Sequence, residues 1–239
     1  MKNKRAEQIA QKKAHKAALK NAKHRRAAPD FQIPAPERRE RQRFLIVCEG
    51  LNTEPDYFNH LRHYFKLSAT QVIAVGGAGE TIRVVQRAQS ECQKSHFDQT
   101  WVVFDKDDFP PDNFDNAIHM AVHAGFGVAY SNQAFEYWLI LHFEDHQGGC
   151  MHRDRYHEKL NEYLNPYNVL YDGKGGKKIS PSFFNILMES VEIDGEKRVD
   201  TAIRRAEKVH TFHKNATSPA YAESCTTVYR LVQELLKCI

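Results

Sequence analysis

From residue 44 onward, short apolar runs alternate with segments whose apolar positions recur at helical spacing. Phe44-Leu45-Ile46-Val47-Cys48 and Trp101-Val102-Val103-Phe104-Asp105 are nearly continuous apolar runs, the pattern of strands buried on both faces. Residues 71–75 and 126–130 predict two further strands. Between them, residues 55–67 place Tyr57, Phe58, Leu61 and Phe65 at helical spacing, and helices are expected over 80–92, 113–124 and 133–143. Strands alternating with helices predict βαβ units and a mostly parallel sheet. Right-handed crossovers then place helices on both faces. After residue 145 no strong strand run appears, and 152–163, 181–190, 198–213 and 222–237 read as helices. The expected fold class is α/β: a sheet core over about 44–145, then a helical half over about 146–239, packed as one domain.

Residues 2–26 are rich in Ala, Lys, Gln and Arg, good helix formers without an apolar stripe wide enough to bury. They predict a basic extension that is an exposed or nascent helix, or disordered, and orders only against a partner. Residues 27–43 contain Pro34 and Pro36 and read as a linker. Charge separates this extension from the rest. Residues 1–43 hold fourteen Lys or Arg against four Asp or Glu, a net +10 in a chain of net +4, so the body carries −6. A basic extension beside an acidic body points to a polyanion partner for the one and cation binding by the other.

The same reading excludes some classes. No stretch approaches the roughly 20 apolar residues needed to cross a membrane, and no apolar segment follows the basic start as a secretory signal would require. Cys48, Cys92, Cys150, Cys225 and Cys238 are scattered and show no paired spacing. A disulfide framework or zinc finger is not expected, and a cytoplasmic location fits.

The chemistry lies at the strand ends. Glu49 follows the first strand in VCEG, and Asp105 and Asp107 close the third in VFDKDD. In open α/β sheets, ligands bind outside the carboxyl ends of the strands. The i, i+2 spacing predicts Asp105 and Asp107 on one face of extended backbone. Carboxylates held close repel one another unless a cation or a shared proton intervenes. Hard oxygen ligands of this kind suit Mg²⁺ or Mn²⁺. Asp108 and Asp112 read instead as helix caps.

EGLNTEPDYF, VVFDKDDF, SNQAFEYWLILHF and the C-terminal SPAYAESCTTVYRLVQELL, in that order, resemble the RloB-like proteins of the Toprim superfamily over roughly 44–236. The resemblance implies a Toprim core, phosphodiester chemistry and Mg²⁺ or Mn²⁺, with Glu49 at the family's first acidic position and Asp105 and Asp107 at its Asp-x-Asp. It implies two cations about 3.5–4 Å apart, with Asp105 and Asp107 as principal ligands and Glu49 as ligand or general base. Toprim nucleases of the overcoming-lysogenization-defect type carry a second glutamate five residues after the first, and Glu54 stands there; it also suits a helix start. Glu136, at the same sheet edge, is a further candidate ligand. Asn132 is read as a helix cap or substrate contact, and His142 as a core histidine. The family setting implies bacterial anti-phage or abortive-infection defence, often beside an ATPase.

Residues 76–81, GGAGET, lack the Walker pattern and read as a turn and cap. Residues 173–178, GKGGKK, read as a mobile basic loop in which Lys174, Lys177 and Lys178 suit backbone phosphates. Tyr167 and Tyr171 could stack on bases or pack the helical half. The expected activity is therefore a metal-dependent nuclease acting on DNA or RNA, tRNA included. A Toprim-type nucleotidyl transferase and a non-catalytic, nucleic-acid-binding partner of an ATPase are the alternatives.

Overall fold

The computed structural model describes residues 2–25, 42–76, 81–107, 110–146, 149–190 and 195–239. The linker at 27–41, the loop at 77–80 and Asp108 lie outside them. Contacts divide the chain into two units, Met1–Glu40 and Arg41–Ile239. The first contains helix α1 (Lys2–Arg25), whose described side chains are exposed.

The second unit is built on four parallel strands, β1 (Phe44–Cys48), β2 (Thr70–Ala74), β3 (Gln99–Asp105) and β4 (Gly127–Ser131), in the order β2-β1-β3-β4. Helices α2 (Thr53–Tyr64), α3 (Thr81–Lys94) and α4 (Pro111–His123) provide the crossovers. After β4 come α5 (Glu136–Ile140), α6 (Tyr156–Leu164), α7 (Pro181–Met188), α8 (Arg198–Phe212) and α9 (Val228–Leu236). The fold is the expected α/β sheet followed by a helical half. Among the described residues no helix is long and apolar enough to cross a membrane.

Alternation along the strands makes two cores. Leu45, Val47, Val102 and Phe104 face one side and pack with Val84, Val85 and Ala88 of α3 and Phe114 and Ala117 of α4. Phe44, Ile46, Trp101 and Val103 face the other, against Tyr57 and Phe58 of α2 and the helices beyond residue 134. Both faces are therefore covered, which is why β1 is buried at every residue.

Two expected helices are shorter than their apolar patterns. α5 spans five residues rather than 133–143. Gln133 has φ +73°, a left-handed conformation that cannot continue a helix, and the Phe135 N–H is taken by a side chain outside the helix. The last helix begins at Val228, not 222. Residues before it serve β4 instead: the Thr227 N–H donates to Tyr130 O at 2.8 Å, the Tyr130 N–H to Thr227 Oγ1 at 2.9 Å, and the Asn132 N–H to Cys225 O at 2.8 Å. An antiparallel bridge joins Ser131 to Thr226. This segment satisfies backbone groups that an edge strand would otherwise leave open.

Candidate metal centre

All four strands end at one edge, and the pairing of Cys48 with Val103 and of Asp105 with Ser131 brings the residues that follow β1 beside those that end β3. A cavity of about 270 Å³ opens there, lined among others by Glu49, Glu54, Asp105, Asp107 and Glu136. All five acidic residues expected at the site thus face one space.

Each carboxylate has its own donor. Glu49 Oε2 accepts the Asp105 N–H at 3.3 Å, tying the end of β1 to the end of β3. Glu54, buried in the first turn of α2, accepts the Gly50 N–H at 3.2 Å. A Cβ at 50 would stand 2.3 Å from Glu54 Oε2, so any larger residue there would have to displace that carboxylate. Asp105 Oδ2 accepts the Phe135 N–H at 3.0 Å and fixes the entry to α5. Glu136 Oε1 accepts from the Tyr171 hydroxyl at 2.7 Å and lies 3.9 Å from Lys177 Nζ. Asp107 is paired with Arg153.

Asp105 and Asp107 do not share a face of extended backbone as their spacing predicted. The strand ends at Asp105, and Asp107 has φ +45°, so the chain turns between them and sends Asp107 to Arg153. Both still line the cavity.

The electrostatics follow from burial and crowding. Burial raises Glu49, partly offset by the Asp105 N–H. Burial, with Glu136 and Glu49 nearby, pushes Glu54 up to about 7. Asp105 is raised well above the carboxylate range by burial and by Glu54, Glu136 and Glu49. Cys48, beneath them, is raised by burial and then by Glu54 and Asp105, so it is a poor nucleophile.

The donor set suits a hard divalent cation. It consists of carboxylate oxygens, and Asp105 Oδ1 is shielded from solvent without a hydrogen-bond partner. Among the described residues, no three His, Cys, Asp or Glu side chains stand at the spacing of a ready-made ion shell.

Several sequence expectations change. Asn132 neither caps α5, whose N-cap is Phe135, nor reaches solvent. It is 2% exposed, and its amide donates to Pro219 O at 3.1 Å. It holds the segment that closes β4 and leaves almost no exposed surface for a nucleic-acid contact. Asp112 lies in the first turn of α4, whose N-cap is Pro110. Tyr171 is buried beneath Glu136. Tyr167 accepts from Arg198 at 2.8 Å. His142 is buried, with Nδ1 3.0 Å from Trp138 O, and burial lowers it to about 3. Lys174 and Lys178 are exposed, whereas Lys177 lines the cavity.

Arg153 and Thr53 carry no sequence signal of their own, and Tyr171 was expected to stack on bases or pack the helical half rather than to hold Glu136. Thr53 Oγ1 donates to Lys177 O at 2.9 Å, Asp56 accepts the Ile179 N–H at 3.2 Å, and these bonds pin residues 171–179 to α2. No local pattern marks such contacts, because the partners lie more than 100 positions apart.

A family model described as RloB-like protein matches residues 44–235. No curated protein and no solved structure matches.

Proposed function

This chain belongs to the RloB-like protein family, and from that premise we propose that it is a metal-dependent phosphodiesterase of Toprim type. In this reading it is a nuclease that cuts DNA or RNA, tRNA included, in bacterial anti-phage defence. The observation that carries the proposal is the gathering of Glu49, Glu54, Asp105, Asp107 and Glu136 around one cavity at the carboxyl edge of a parallel sheet.

Asp105 and Glu49 would hold Mg²⁺ or Mn²⁺, with Glu54, Asp107 and Glu136 completing or adjusting the set. When bound, the cation supplies Lewis-acid stabilisation of a phosphoryl oxygen and a water of lowered pKa. The remaining work falls to the chain. Arg153 and Lys177 bring positive charge to the cavity wall, where they can meet the non-bridging oxygens of a phosphodiester as charge develops. Tyr171 and Lys177 orient Glu136. The Asp105 N–H holds Glu49 at the junction of β1 and β3.

Incubation of the purified protein with Mn²⁺ or Mg²⁺ and duplex DNA, single-stranded DNA or tRNA tests this reading. Cleavage is expected, and Glu49→Gln and Asp105→Asn should abolish it without changing the circular dichroism spectrum. Full activity in either variant contradicts the assignment. A binding subunit without chemistry is the second reading, favoured by the pairing of Asp107 with Arg153. It predicts nucleic-acid retention that ignores both substitutions, with no products even when a neighbouring ATPase is added.

A further inference from the structure

A second cavity, of about 550 Å³, adjoins the carboxylate cavity and shares Glu136, Arg153 and Lys177 with it. Its other walls are the residues that open α6 and the turn at 173–177. Arg155 and Lys174 line it, are exposed, and make no ion pair among the described residues. The acidic residues on its rim face histidines: Asp154 lies 3.1 Å from His152 and Glu158 lies 3.8 Å from His157.

The turn at 173–177 is shaped by its own hydrogen bonds. Asp172 accepts the Gly175 and Gly176 N–H groups, each at 2.8 Å, and its carbonyl accepts the Lys177 N–H at 2.9 Å. Gly173 runs so close to α6 that a Cβ there would stand 2.3 Å from His157 Cβ. Lys174 and Lys177 are therefore presented by hydrogen-bonded backbone.

We infer that this second cavity anchors a phosphate of an unpaired nucleic-acid strand beside the carboxylate cavity. Its volume is that of a pocket enclosing one small ligand, room for one nucleotide of an unpaired strand. The guanidinium fork of Arg155 matches phosphate oxygens, and Lys174 adds a point charge. Such contacts fix a strand's register without reading its sequence. Arg153 and Lys177 stand on the shared wall, so a strand anchored here leads its neighbouring phosphodiester toward the carboxylates. The inference rests on the function proposed above for what happens to that bond, but strand binding itself requires no cation.

The test is fluorescence anisotropy of the full chain in EDTA, using labelled oligo(dT), oligo(rU) and a blunt duplex over a salt series. The basic extension contributes equally to every variant. Arg155→Ala/Lys174→Ala should raise the single-strand Kd about tenfold and lower the slope of log K against log salt by about 1–2. A control that removes two charges elsewhere, Lys94→Ala/Lys237→Ala, should stay within about twofold of the parent. Gly173→Ala, which displaces the turn without changing charge, should also weaken single-strand binding. Equal behaviour of the cavity and control variants, an equal loss on duplex, or no strand binding by the parent overturns the inference. A parallel Mn²⁺ titration reports on the carboxylate cavity alone. Absence of Mn²⁺ binding there refutes the proposed nuclease while the strand data still decide this inference.

Discussion

Replacing Glu54 by Gln should remove a pH dependence of stability that the fold imposes on itself. Glu54 is 6% exposed, and burial, reinforced by Glu136 and Glu49, raises its pKa from 4.5 to about 7. A raised carboxyl pKa means that the native state binds its proton more tightly than the unfolded chain does. The associated stability is fully present below about pH 4.5 and is lost as pH rises through about 7. At about 1.4 kcal/mol per unit the ceiling is roughly 3 kcal/mol, and sharing of protons with neighbouring carboxyls brings the expectation nearer 2 kcal/mol. At about 2–4 °C per kcal/mol for a domain of this size, that is a loss of roughly 4–8 °C in Tm. His142 works in the opposite direction. Its pKa is lowered to about 3, so its contribution is present above about pH 6.5 and lost on acidification. The difference between parent and variant cancels it, since both contain His142. The assay is thermal unfolding in EDTA from pH 5 to pH 8. The parent should lose about 4–8 °C more than Glu54→Gln over that range, and Mn²⁺ should restore the parent at pH 8 by favouring the ionised carboxylates. Parallel pH profiles for the two proteins would refute the reasoning.

Other perturbations probe separate parts of the account. Gly50→Ala drives a Cβ into the Glu54 carboxylate, so it should cost about 1–3 kcal/mol in urea unfolding and blunt the thermal response to Mn²⁺. Tyr171→Phe removes the hydroxyl that holds Glu136; it should lower stability by about 1–2 kcal/mol and weaken Mn²⁺ affinity more than the exposed substitution Lys178→Ala does. Asn132→Ala should destabilise by about 1–3 kcal/mol through loss of its bonds to the 219–220 carbonyls, yet leave single-strand affinity of the folded protein unchanged, as anisotropy would show.

The strands and their acidic ends were readable because the signals are local. The apolar runs at 44–48 and 101–105 reflect burial on both faces, and Glu49 and Asp105 abut them directly. Helix limits were less readable where distant groups compete for backbone. Asp105 captures the Phe135 N–H and shortens α5. Tyr130 captures the Thr227 N–H and delays α9. Neither competing bond leaves a local signal in the sequence, so the pattern alone overextends both helices. Glu49, Asp105 and Asp107 could be named from strand ends, Glu136 from its place beyond the fourth strand and Glu54 only through the family resemblance, but the groups that support them could not. Arg153, Tyr171 and Lys177 reach the site from the helical half, and nothing near them in the chain records that they face Asp107 and Glu136.

The central claim is that the strand-end carboxylates form a divalent-cation site. Isothermal titration of Mn²⁺ into the parent protein and into Asp105→Asn tests it most directly. Saturable binding by the parent and its loss in the variant are expected, with both proteins folded. Binding of equal strength in the two proteins, or none in the parent, would contradict it.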